Sequence, residues 1–128
     1  MFEVRVDRSK RRVELLFEGD YTHDRDAMHR AVHEAVSDAK GSGLWFDIVC
    51  DMTQMPVIHR DRHDSGEELM TWLVLNGMRN GAVAVGQVLQ SMQLKRLSGK
   101  NEKYQYFNSM RDAQAWLDSR MKEVPAAA

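Results

Sequence analysis

Phe2, Val4 and Val6 alternate with Glu3, Arg5 and Asp7, and Val13, Leu15 and Phe17 alternate with Glu14, Leu16 and Glu18. A period of two is that of strands with one buried face. The polar stretch between them, residues 7–12, predicts a hairpin turn. The period then changes: Met28, Val32, Ala35, Val36 and Ala39 fall on one helical stripe within 24–40, and Gly41 and Gly43 end it. Leu44 to Met52, LWFDIVCDM, is a nearly continuous apolar run of strand length. Such a run predicts a strand covered on both faces, at the centre of the sheet.

From Ser65 to about Gly77 the pattern predicts a second helix, opened by Ser65-Gly66-Glu67-Glu68 in the Ser-x-x-Glu form of a capping box. Residues 82–88 (AVAVGQV) predict another strand, 91–97 a short helix stopped by Gly99, 103–107 (KYQYF) a short strand, and 109–121 a last helix with Ala113, Trp116 and Leu117 inward. The order is β-β-α-β-α-β-α-β-α. It implies an α/β fold: a mostly parallel sheet with an antiparallel edge strand and helices packed on it. A chain of 128 residues suits one domain, expected over 1–122, with 123–128 frayed.

Charge narrows the function classes. With 18 basic and 19 acidic residues the net charge is −1, too even for the broad positive field that nucleic acid or an anionic membrane needs. Arg8, Lys10, Arg11 and Arg12 crowd the hairpin turn; a solvated turn is the plain reading, contact with phosphate the alternative. A second basic group, Lys95, Arg96, Lys100 and Lys103, surrounds Ser98-Gly99 without any phosphate-loop pattern and again reads as solvated. No apolar run approaches the roughly 20 residues of a membrane helix, and the first residues lack the basic-then-apolar form of a signal peptide, so the expected compartment is the cytoplasm.

Several strings, taken in that element order, resemble the STAS family, named for sulfate transporters and anti-sigma factor antagonists, and in particular its stand-alone SpoIIAA-like branch. Phe17-Glu18-Gly19-Asp20-Tyr21-Thr22 is similar to the family's second strand and its Gly-acidic turn. Asp47-Ile48-Val49-Cys50-Asp51-Met52-Thr53 is similar to the central strand and following Asp, and 107–117 to the closing strand and helix. The resemblance implies a STAS-like fold and a regulatory module that works by binding another protein. It also implies a role for Asp64-Ser65-Gly66, which matches the Asp-Ser pair that carries regulatory phosphorylation in anti-sigma factor antagonists. The segment 53–63 makes the preceding loop longer than the family shows.

The residues themselves leave alternatives open. Ser65 reads as a helix cap worth about 1 kcal/mol, or as a phosphosite. Leu69, Met70, Trp72, Leu73, Val74 and Leu75 leave the second helix almost without a polar face. Its outer residues, Val74 and Leu75, therefore call for cover by the chain itself, a homodimer partner, another protein or a small apolar ligand held between helix and sheet. With Asp64, Ser65, Leu69 and Trp72 they form the expected partner or ligand surface. His29 with His33, and His59 with His63, have the i, i+4 spacing of metal ligands, yet neither pair has a clear third ligand, and surface histidines are the simpler reading. His59 and His63, in a predicted loop with Asp61 and Asp64, are the weak candidates. No cofactor is expected. Cys50 lies inside an apolar strand and reads as a packed thiol. With no nucleophile elbow, P-loop, His-Glu-x-x-His or dinucleotide fingerprint, the expected function is non-enzymatic.

Overall fold

In a computed structural model of the protein the hairpin pattern becomes β1 (Phe2–Asp7) and β2 (Arg12–Glu18), antiparallel and paired residue by residue from Phe2 opposite Phe17 to Asp7 opposite Arg12. The structure describes residues 2–18, 25–54, 63–86, 92, 95–96 and 103–121, with the backbone alone at 25 and 63–65. After the hairpin come α1 (Arg25–Lys40), β3 (Phe46–Gln54), α2 (His63–Leu75), β4 (Met78–Val85), β5 (Tyr104–Phe107) and α3 (Met110–Met121). Met92, Lys95 and Arg96 are helical, within the short helix expected over 91–97. The tail 123–128 lies outside the described residues.

The five strands form one sheet in the order β1-β2-β3-β4-β5, parallel everywhere except at the β1–β2 hairpin. The antiparallel edge strand and the parallel remainder are those the element order predicts. β3 sits in the middle, and its apolar run is buried from Phe46 to Cys50.

Strand alternation assigns the two faces. Val13, Leu15, Phe17, Ile48, Cys50, Met52, Val83 and Val85 pack with Met28, Val32, Ala35, Val36 and Ala39 of α1 and Leu69 and Leu73 of α2. On the opposite face Val49 and Ala82 meet Ala113 and Leu117 of α3.

Several boundaries differ from expectation. β4 begins at Met78 and not at Ala82, because the polar Arg79 and Asn80 satisfy a buried Asp47 carboxylate on the neighbouring strand. β3 begins at Phe46 and runs to Gln54, two residues into the segment expected as a loop. α2 begins at His63, so Ser65 is its third residue and not its cap. The far end of α2 closes on Asn76, whose side-chain amide donates to the Trp72 carbonyl at 2.8 Å, and on Gly77 at φ 104°. A side chain at Gly77 would be strained at that φ and would collide with the Leu44 carbonyl.

Candidate functional site

α2 departs from a simple amphipathic helix because its apolar residues cover most of its circumference, and the fold disposes of them in three ways. Leu69 and Leu73 are buried against the sheet, which withdraws Leu69 from the surface expected to meet a partner. Met70, Trp72 and Val74 are half-buried and pack at the rim of the core. Leu75 alone among the described apolar residues of α2 stands in solvent, at 78% exposure. Part of the expected cover, at Trp72, comes from the chain's own α1. The His33 ring lies flat on Trp72, with ring centroids 3.7 Å apart and planes 9° from parallel. Lys40 Nζ donates to the Asn76 carbonyl at 2.8 Å. On the sheet side, the Tyr104 hydroxyl donates to the Met70 carbonyl at 2.7 Å.

The acidic side of this surface is the first part of α2, where Glu67 and Glu68 are exposed. Asp64 and Ser65 are placed by the backbone in the same first turn. The remaining expected residues scatter. His63 is already helical, and His59, with the loop 55–62, lies outside the described residues. His29 and His33 lie side by side on α1, ring centroids 6.4 Å apart, and His33 spends its face on Trp72. Among the described residues no group of three or more His, Cys, Asp and Glu gathers as a metal site. Lys103 Nζ donates to the Met78 carbonyl at 3.2 Å, and Lys95 approaches the Tyr106 ring at 5.9 Å; Lys100 lies outside the described residues.

The hairpin turn is an anchor, contrary to its reading as solvated. Arg12 is 1% exposed; its guanidinium donates to Gln114 at 2.6 Å and to Asp118 at 2.8 Å, both on α3. Lys10 joins at Asp118 (3.2 Å), Arg8 forks onto Asp38 of α1 (2.8 and 3.1 Å), and Arg11 lies over the Trp45 ring. Opposite Arg12 on the neighbouring strand is Asp47, fully buried, which accepts from Arg79 at 3.2 and 2.6 Å and from the Asn80 amide at 3.1 Å, while Arg79 stacks on Trp45 at 3.6 Å. A carboxylate flanked by apolar residues in a central strand must be paired, and the Asp47 within LWFDIVCDM carries that signal.

Among the described residues, a cleft of about 150 Å³ opens on the sheet beside α3, lined by Glu3, Arg5, Glu14, Leu16, Asp51 and Met110 among others. It falls short of the ~300 Å³ at which pockets begin to hold drug-sized ligands.

Cys50 is buried in β3, and that burial, followed by the neighbouring Asp51 charge, pushes its thiol well above the usual range. A thiol that cannot ionise is a poor nucleophile. Alkylation followed by mass spectrometry at neutral pH should label it more than about a thousandfold slower than in the urea-unfolded chain, because reaction must wait for opening.

The arrangement, a five-stranded mixed sheet with α1 and α2 on one face and α3 on the other, is an α/β fold of the STAS-like type. No helix among the described residues is long and apolar enough to cross a membrane. The comparisons agree with the fold. A solved structure of RsbS from Moorella thermoacetica, in a serine-to-glutamate form, matches with a TM-score of 0.68 over 93% of this chain and 97% of that one, at 10% sequence identity. No protein-family model matches the sequence, and no curated protein does.

Proposed function

We propose that this chain is a regulatory protein-interaction module of the anti-sigma factor antagonist kind, with α2 as its partner surface and Ser65 as its point of phosphoryl control. The observation that carries the reading is the full-length likeness of fold to RsbS, a STAS-domain anti-sigma factor antagonist. Supporting it, Ser65 lies in the first turn of α2 with the exposed Glu67 and Glu68, and Leu75 gives the same helix an exposed apolar contact. A phosphate there adds about −1.5 to −2 charges. Beside two carboxylates it would turn a mildly acidic helix end into a strongly acidic one, enough to change which partner docks.

The test compares wild type with Ser65→Ala, Ser65→Glu and Leu75→Glu, purified from the native cell after in-cell crosslinking. Leu75→Glu, at an exposed position, should leave folding stability within about 0.5 kcal/mol, as substitutions outside the core do, and the stability of the two Ser65 variants is measured alongside. Ser65→Glu and Leu75→Glu should lose a crosslinked protein that wild type and Ser65→Ala retain. An identical crosslinked set for all four chains, or no set at all, would overturn the proposal. Val74→Glu is unsuited to this purpose, since Val74 packs at the rim of the core.

A further inference from the structure

β1 closes the sheet on one side, and among the described residues it pairs with β2 alone. An edge strand presents a row of unpaired amides and carbonyls, which natural proteins usually blunt by shortness, proline or a bulge. β5, the opposite edge, is only four residues long. β1 has six residues, no proline and an unbroken register with β2. Its α1-side face carries Phe2, Val4 and Val6, all half-exposed at the rim of the core. Its other face carries Glu3 and Arg5.

We propose that β1 is a self-recognition edge, through which two copies of this chain join antiparallel in the register that sets Val4 opposite Val4 of the second copy. In a twofold pairing residues directly opposite share a face. That register puts Phe2 against Val6 of the second copy, extending the apolar face. It also puts Glu3 against Arg5 and Arg5 against Glu3, two cross-strand ion pairs. The neighbouring registers fail on charge. A slip of two residues one way sets Glu3 against Glu3; the other way sets Arg5 against Arg5 and Glu3 against Asp7. A slip of one residue turns the apolar positions onto the charged face. The strand's charge order therefore selects one register.

In the free chain Glu3 and Arg5 bond to each other along the strand at 2.9 and 3.1 Å, with side chains 44% and 68% exposed, so their exchange for cross-strand partners costs little. α1 packs over β1, and the helical stripe that ends at Asp38, the partner of Arg8, carries the small Ala27 and Ala31 together with the exposed Glu34.

The pairing makes no use of α2 and stands apart from the partner surface proposed above. Sedimentation or light scattering of wild type, Glu3→Arg and Arg5→Glu, singly and as an equimolar mixture of the two variants, tests it. Wild type should show a concentration-dependent dimer. Each reversal, which replaces both ion pairs by like charges, should weaken self-association roughly tenfold or more. The mixture should regain it as a heterodimer, because the two arginines on β1 of the Glu3→Arg chain then face the two glutamates on β1 of the Arg5→Glu chain. A second measurement needs no substitution: hydrogen exchange of the wild-type β1 amides should slow as protein concentration rises. A monomer at every soluble concentration, a dimer indifferent to both reversals, or a mixture no more associated than its components would overturn the proposal. So would protection of β1 that appears only when a different protein is added.

Discussion

Asp47→Ala should lower folding stability by about 3–5 kcal/mol, the range for breaking a buried ion pair by removing one partner. The carboxylate is fully buried in the central strand and receives both a forked guanidinium from Arg79 and the Asn80 amide. Without it, Arg79 keeps its stack on Trp45 and the neighbouring Asn80 side chain, while the buried Asn80 backbone amide in β4 loses the carboxylate it donates to. In a domain whose whole stability is on the order of 5–15 kcal/mol, such a loss moves a urea midpoint far to the left. Asp47→Asn keeps the shape and one acceptor oxygen and should cost roughly half as much. The informative comparison is the double variant Asp47→Leu with Arg79→Met. Deleting both partners removes the desolvation cost along with the attraction, so the pair should be more stable than Asp47→Ala alone. A urea series in which the double variant equals the sum of the singles would show that the two side chains are not coupled.

The same carboxylate explains what the sequence made legible and what it hid. Element order and the central position of β3 could be read from periodicity, because hydrophobic spacing reports which faces are buried. The antiparallel hairpin and the parallel remainder followed from the order of elements. What periodicity reports poorly is a buried polar group. Arg79 and Asn80 look like loop residues until Asp47 is known to sit beside them, so β4 was expected to start too late. Arg12 was assigned to a solvated turn for the same reason: a charge at the start of a strand looks exposed unless its partners, here a hundred residues away on α3, can be seen. At α2 the sequence showed an excess of apolar residues but not their cover. The His33 stack on Trp72 depends on how α1 lies beside α2, which neither helix's own pattern encodes. The helix start at His63 likewise escaped a capping-box reading, since helix ends move by a residue or two with local geometry. For function, Asp64-Ser65-Gly66 could be found only by resemblance, while Leu75 needed nothing more than the helical wheel.

The clamp between Arg12 and Asp118 should be asymmetric. Arg12 is 1% exposed and Asp118 47%, so the two deletions leave different residues behind. Asp118→Ala strands a buried guanidinium with Gln114 as its main remaining acceptor, at a cost of about 3 kcal/mol. Arg12→Met removes the buried charge, fills the same channel with apolar atoms and leaves Asp118 in water with Lys10 at 3.2 Å; the cost should stay under about 1.5 kcal/mol. The smaller change thus does the greater damage, and chemical denaturation of the two variants would show it. Equal losses would mean that the burial of Arg12 is not what governs the clamp. Acid gives an independent reading. The Arg12 bond, and after it the Lys10 bond, hold the Asp118 carboxyl below the ordinary carboxylate range against the opposing effect of burial. A carboxyl whose value is depressed on folding contributes stability that is complete above its unfolded value of about 3.9 and is lost as the pH falls through the folded one. Wild type should therefore lose stability as the pH drops below about 4, and Asp118→Asn, with no proton to take up at that site, should lose less over the same interval. Because Lys10 and Arg12 both hold α3 through Asp118, that acid loss should be seen first as exchange of the α3 amides, ahead of those in β3.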